Sequence, residues 1–294
     1  MNNFKTLAEF LTNFNSEEAC RRHFEAIRFA KGDFCPHCKH TKIFRFSDGL
    51  RYRCDKSKQD FTIKTGTLFG ESKIPLQKWF IAIYLLTTNK KGISSVSLAE
   101  QVGVTQKTAW FMDMRIREAM KQGRGKLFGT VEVDETYTGG KHQQKFGFKK
   151  KMPIMGMTER GGRIRAFHIP ARETGIILNQ VTRNVDKSAF IMSDEAHVYS
   201  KLPKFGYGHG SVKHGKRHWA RGNINTNSIE SFWALFKRGY HGTYHSMSKK
   251  HLQRYIDEVA FRFNNRENDM AAKFDLTTLK IANRGKLSYA ALTA

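Results

Sequence analysis

The run Phe128-Gly-Thr-Val-Glu-Val-Asp-Glu-Thr-Tyr137 decides how this 294-residue chain is read. Polar and apolar positions alternate through it with the period of a β-strand, so Glu132 and Asp134 fall on one face and Val131 and Val133 on the other. Two more acids stand apart from their surroundings. Ala189-Phe-Ile-Met192 reads as a buried strand that ends at Ser193-Asp194-Glu195. Glu230 is separated from Asp194 by 35 residues and is the single acidic residue among eleven Lys and Arg between Lys201 and Arg254. Its segment is helical in pattern, with Ile229, Phe232, Trp233 and Phe236 on one apolar stripe. A strand bearing Asp134, a parallel strand ending at Asp194 and a helix bearing Glu230 would meet outside the strand ends of a mixed sheet. Glu132, Glu135 and Glu195 flank the chosen acids and compete with them for the assignment.

Oxygen-only ligands of this kind select Mg²⁺ or Mn²⁺ over zinc. Two such ions can activate the attacking oxygen and stabilise the leaving one during in-line displacement at phosphorus. Lys237 follows Glu230 by seven residues, two turns along the same helical face, where with Arg238 it would contact phosphate. Other chemistries fit less well. Tyr137 and Tyr240 lack an arginine-rich activating cluster, and no two of the 12 histidines are two residues apart. His214 with His218, and His241 with His245, have i, i+4 spacing, but their Gly-rich basic setting favours DNA-backbone or structural roles.

The chain as a whole is basic, with 51 Lys and Arg against 26 Asp and Glu and a formal net charge of +25. Such an excess repels itself unless a polyanion shares the surface, which makes double-stranded DNA the expected partner. The longest apolar stretch, Trp79–Leu86, is far too short for the roughly 20 residues that span a bilayer, so no membrane partner is expected. Four cysteines, two of them in Cys35-Pro-His-Cys38, suit metal binding in a reducing cytoplasm better than a disulfide framework.

The expected fold is a multi-domain α+β and α/β chain. Residues 1–70 read as two helices followed by a small β-ribbon around Cys35, Cys38 and Cys54. Residues 71–125 carry a helix-turn-helix: a helix ends at Gly103, Thr105 is the N-cap of the next, and Thr105, Gln106, Lys107 and Thr108 open a recognition helix that would enter the major groove. Gln122-Gly-Arg-Gly-Lys126 looks like a linker, and 126–294 would be the mixed-sheet catalytic domain. Within it, Thr138–Lys151 reads as a mobile basic loop and Glu159-Arg-Gly-Gly162 as a hairpin turn.

The segment from Asn225-Thr-Asn-Ser-Ile-Glu230 to His245, continued by Lys250-His-Leu-Gln-Arg-Tyr255 and Phe261-Arg-Phe-Asn-Asn-Arg266, resembles the bacterial insertion-sequence transposases of the DDE type with an N-terminal zinc ribbon. Val131-Glu-Val-Asp-Glu-Thr136 is similar to that family's first acidic motif and Met192-Ser-Asp-Glu195 to its second. The resemblance implies an RNase H-like catalytic domain in which Asp134, Asp194 and Glu230 bind two Mg²⁺ or Mn²⁺ ions and Lys237 is the basic residue that follows. It further implies cutting at terminal inverted repeats, transfer of the freed 3′-hydroxyl to target DNA, a homodimer or larger assembly on DNA, and a place in the bacterial cytoplasm beside the nucleoid. The ribbon departs from the family's pattern, which has two Cys-x-x-Cys knuckles. Cys54-Asp-Lys-Ser57 offers Ser57 where a fourth thiolate should stand, a poor zinc ligand. Either His37, His40 or Cys20 completes a site with Cys35, Cys38 and Cys54, or zinc is lost and Phe44, Phe46, Tyr52 and Phe61 form the ribbon's core. Two other functions remain open from the residues: a DNA-binding regulator derived from an inactive transposase, and a nuclease that cuts without joining.

Overall fold

The computed structural model describes residues 3–139, 151–194, 197–212 and 226–293. Most of the basic loop expected after Thr138, together with Glu195, His214 and His218, lies outside the described residues. The chain divides into two compact units, Met1–Met120 with Glu267–Ala294, and Lys121–Arg266.

The first unit begins with α1 (Leu7–Asn13) and α2 (Glu17–Arg28), started by Thr6 and Ser16, whose hydroxyls accept from the backbone N–H of Glu9 and Ala19. A three-stranded antiparallel ribbon follows, β1 (Ile43–Arg45), β2 (Arg51–Cys54) and β3 (Asp60–Thr62). Three helices come next: α3 (Leu76–Thr88), α4 (Ser95–Val102) and α5 (Gln106–Ala119).

The second unit is built on a five-stranded sheet of β4 (Thr130–Thr138), β5 (Met152–Glu159), β6 (Ile164–His168), β7 (Phe190–Asp194) and β8 (Gly208–Val212). The order is β6-β5-β4-β7-β8; β4, β5 and β6 form an antiparallel meander, and β7 and β8 run parallel to β4. This is the RNase H-like arrangement. Helix α6 (Thr174–Asn184) buries Ile177, Leu178 and Val181 against Val131, Val133, Met155, Met157 and Ile191 on one face. On the other side α7 (Asn227–Gly239) packs on β4 and β5, and α8 (Leu252–Asn264) on β6.

The chain then returns to the first unit with α9 (Met270–Asn283) and α10 (Tyr289–Thr293). The catalytic domain expected over 126–294 therefore ends near residue 266. The physical reason is aromatic: Phe274 of α9 joins Phe4, Phe10, Phe14 and Phe80, with ring centroids 5.0–6.2 Å apart, in the core that α1 and α3 share.

The segment expected as a linker is also tied down, because it serves the free edge of β6. An edge strand leaves a row of unpaired N–H and C=O groups that can recruit another strand. Here side-chain amides occupy that row. Asn264 accepts from Ile164 N (2.7 Å) and donates to Ile164 O (3.0 Å). Gln122 does the same at Ala166 (2.9 and 2.7 Å), and Gln253 accepts from His168 N at 2.9 Å. Asp257 holds both glutamines, at 2.8 and 2.9 Å. Asn264→Ala strips Ile164 of both partners. It should lower unfolding free energy by about 1–3 kcal/mol in a denaturant titration and raise self-association in light scattering; an unchanged midpoint would contradict this account of the edge.

Candidate functional site

The sheet register brings the first two acids together. Parallel pairing of β4 with β7 runs through Thr130↔Phe190, Val131↔Ile191 and Glu132↔Met192 and stops there. Two residues further along, Asp134 and Asp194 lie on adjacent strands and, by the period of two, on the same face. Glu230 reaches this end of the sheet from the first turn of α7. Burial pushes the Asp134 carboxyl up to about 6; the charges of Asp194 and Glu230 push the same way, while hydrogen bonds from the Glu135 backbone N–H and the Trp233 indole pull against them. Asp194 and Glu230 thus both act on Asp134, although the carboxylate oxygens of the three do not all lie within 4.8 Å of one another. Trp233 Nε1 donates to Asp134 Oδ2 at 3.0 Å, Thr226 Oγ1 donates to Glu230 Oε1 at 2.9 Å, and Arg172 lies 3.6 Å from Asp194 Oδ2.

The neighbouring acids have other duties. Glu135 points to the α6 side of the sheet, where Tyr199 Oη donates at 2.5 Å and Arg172 Nε at 3.1 Å. Burial raises it to about 6, with those two bonds opposing the rise. Glu132 is fully buried and binds the start of α7. Trp233 is buried, as its place on the apolar stripe predicted, but its N–H serves Asp134. Lys237 and Arg238 are exposed on α7, with Lys237 about two turns beyond Glu230 on the same face. Sequence reasoning did not find Arg172, Glu132 as a helix anchor, or Gly156. Gly156 pairs with Asp134 in the β4–β5 ladder, and a Cβ there would meet Ile229 and Trp233 at 2.7 Å. The missing side chain is the space into which Trp233 fits. Only the strand alternation of Glu132 was a usable signal.

In the ribbon, the Sγ atoms of Cys35, Cys38 and Cys54 lie within 4.8 Å of one another, a group that includes neither His37, His40 nor Cys20. Both knuckles have the same backbone. Lys39 and Lys58, each following a second ligand position, take positive φ of 63° and 55°, and their N–H groups bond to Cys35 O and Cys54 O. Ser57 Oγ is 3.8 Å from Cys35 Sγ, at the position of the fourth ligand, and its N–H donates to Cys54 Sγ at 3.4 Å. Burial raises the Cys54 thiol, but bonds from Ser57, Cys38 and Cys35 outweigh it and hold the thiol down at about 6. Tyr52 and Phe61 are buried and stacked at 5.3 Å, whereas Phe44, expected in the same core, is 50% exposed. A three-residue strand this close to the surface has only one sheltered face, and Phe44 falls on the other. Cys20 is buried in α2, with its thiol raised to about 12 by burial and by Glu17.

The helix-turn-helix forms as its capping residues dictate. Gly103 closes α4 in the left-handed region at φ 67°, and Thr105 Oγ1 accepts from Thr108 N at 3.3 Å. Thr105, Gln106 and Lys107 are exposed and Thr108 is half-buried. Gln106 donates to Ser95 Oγ at 2.9 Å, and the Lys107 ammonium lies 5.1 Å above the Tyr289 ring. From Met112 to Arg117 every residue of α5 is buried, which confines an outward-reading surface to its first turn. His241 belongs to a π-helical turn after α7 and His245 caps its end, and no metal-holding group among the described residues includes them.

Residues 126–264 match the ISXO2-like transposase domain, and residues 15–58 match the transposase zinc-ribbon domain. A protein of Halobacterium salinarum described as an uncharacterized protein in transposable element ISH50 is 27% identical over 276 residues, 86% of this chain and 92% of its own. An uncharacterized transposase-like protein of Haemophilus influenzae is 25% identical over 119 residues, 40% of this chain and 92% of its own. A chain in the crystal structure of a pre-cleavage Mos1 transpososome overlaps 71% of this chain and 79% of its own, at 13% identity and a TM-score of 0.27. By its two domain matches and its relative, the chain belongs to the insertion-sequence transposases with a zinc ribbon. Among the described residues no helix is long and apolar enough to cross a membrane.

The fit of α7 on the sheet can be tested at two glycines. Gly156→Ala should destabilise the protein by about 1–3 kcal/mol, since Ile229 and Trp233 must move to admit one methyl group. Gly175→Ala, with nothing within 4 Å, is the control and should be neutral or slightly stabilising. Equal melting temperatures for the two variants would contradict the packing described.

Proposed function

We propose that this transposase cuts DNA at the ends of its element and joins the freed 3′-hydroxyl to a target, using Asp134, Asp194 and Glu230 as a divalent-metal site. The observation that carries the reading is the β4–β7 register, which sets Asp134 and Asp194 on adjacent strands and one face, with Glu230 on the helix packed over β4, inside the segment that matches a transposase domain. The donors are all hard oxygens, which fits Mg²⁺ or Mn²⁺. When bound, a pair of such ions would stabilise charge on the attacking and leaving oxygens at phosphorus. The chain's own residues set the stage. The Trp233 indole and the Glu135 backbone N–H orient the Asp134 carboxylate, Thr226 orients Glu230, and Arg172 lies beside Asp194. Lys237 and Arg238, on the same helix, would hold a DNA phosphate.

Double-stranded DNA, both inverted repeat and target, is the proposed partner, gripped by the first turn of α5 through Thr105, Gln106, Lys107 and Thr108. Joining two ends calls for a homodimer or larger assembly on DNA, and the bacterial cytoplasm beside the nucleoid is the corresponding location. The ribbon's basic strand residues carry acidic partners, Arg45 with Glu25 and Asp33, Arg51 with Asp48, and Arg53 with Asp60. Its contribution to the DNA field is accordingly smaller. Cys35, Cys38 and Cys54 would hold zinc, with the Ser57 hydroxyl at the fourth corner.

Asp194→Asn should abolish Mg²⁺-dependent nicking of end DNA while leaving binding to that DNA within about threefold; full cleavage by the variant would refute the metal site. Ser57→Cys adds a fourth thiolate to a knuckle already shaped for it. In competition with a chromophoric chelator it should hold zinc at least about tenfold more tightly than the native chain. Equal affinity would show that Ser57 is not at the coordination position.

A further inference from the structure

We propose that Glu132 is a positioning residue: it fixes the register of α7 on β4 so that Glu230 is presented to Asp134 and Asp194. This rests on the metal-site reading above. Glu132 is 0% exposed. Its Oε2 accepts from the backbone N–H of Ser228 at 2.8 Å and of Ile229 at 3.1 Å, and its Oε1 from Ser228 Oγ at 3.1 Å and Arg160 Nε at 3.3 Å. Four donors enclose the carboxylate, which leaves it no path to a shared cation. Two of them are among the first N–H groups of a helix, which lack partners within the helix and sit at the positive end of its dipole.

A helix normally supplies this cap from its own N-cap side chain. Thr226 occupies that position in α7 and makes no such bond; its hydroxyl instead donates to Glu230 Oε1 at 2.9 Å. The division is informative: the local residue orients the third acid, and the strand that carries the first acid caps the helix. A second anchor lies further along, where Trp233 Nε1 meets Asp134 Oδ2 at 3.0 Å. The spacings agree. Two residues of strand from Glu132 to Asp134 advance about 6.8 Å, and four residues of helix from Ile229 to Trp233 rise about 6 Å. With both anchors engaged α7 lies along β4 in one register. A slip of one residue would turn Glu230 by about 100° and shift it about 1.5 Å. Gly156 makes the close approach of the second anchor sterically open.

A positioning role and a charge role predict opposite orders for two substitutions. Glu132→Gln keeps the length and an oxygen for the backbone N–H groups but loses the charge; Glu132→Asp keeps the charge but is one methylene short. The readout is Mn²⁺ binding to the DNA-free full chain, followed by the electron paramagnetic resonance signal of the free ion. Thermal melts and end-DNA binding confirm that each variant is folded. Glu132→Asp should raise the half-saturating Mn²⁺ concentration by about tenfold or more, and Glu132→Gln by less than about threefold. Wild-type binding by Glu132→Asp, or a greater loss in Glu132→Gln than in Glu132→Asp, would overturn the proposal. If Glu132→Asp does not fold, Ser228→Ala removes one of the four bonds and should raise the half-saturating concentration about threefold; no change would overturn it equally. Asp134→Asn and Glu230→Gln separate the two layers of the argument. Both should weaken Mn²⁺ binding at least about tenfold. Wild-type binding by those two variants would remove the metal site, and the role of Glu132 with it. Weakened binding in them beside wild-type binding in Glu132→Asp would remove the positioning role alone.

Discussion

Carboxylates brought near one another repel, and the second unit carries Asp134 and Asp194 on adjacent strands at one end of its sheet, with Glu230 on the helix packed over β4. The parallel register of β4 and β7 fixes two, and α7, seated over Gly156, brings the third. An indole N–H, a threonine hydroxyl and a guanidinium contact Asp134, Glu230 and Asp194 in turn. Burial, with its two neighbours pushing the same way, raises Asp134 to about 6.

The same face of the sheet explains why neighbouring acids in one motif have different fates. Strand alternation sends Glu135 towards α6, where Tyr199 and Arg172 satisfy it, and sends Glu132 and Asp134 towards α7. Along that face Glu132 is covered by the helix start and Asp134 is not. Position along the strand, within two residues, separates the helix anchor from the proposed metal ligand.

Much of this was legible in the sequence because it is local. The alternation around Asp134, the Gly103 and Thr105 caps, the Glu159–Gly162 turn and the apolar stripe through Trp233 each declare themselves within a few residues, and the structure follows them. What was not legible depends on partners far apart in the chain. Glu132 meets Ser228, Gln122 meets Ala166, and Gly156 receives Trp233, and no short window contains either pair member's reason. The final helices were assigned to the wrong unit for the same cause, since the aromatic core that takes up Phe274 is made by residues at the other end of the chain. In the ribbon the substitution at Ser57 was plain, but not that its knuckle keeps the backbone of the intact one.

The central claim is that Asp134, Asp194 and Glu230 share divalent cation. Crystals of the protein grown with Mn²⁺, with data collected near the manganese absorption edge, test it most directly. The account predicts an anomalous difference peak bridged by the carboxylates of Asp134 and Asp194 and within reach of Glu230. Full Mn²⁺ occupancy at some other location, with those three side chains turned apart, would contradict it.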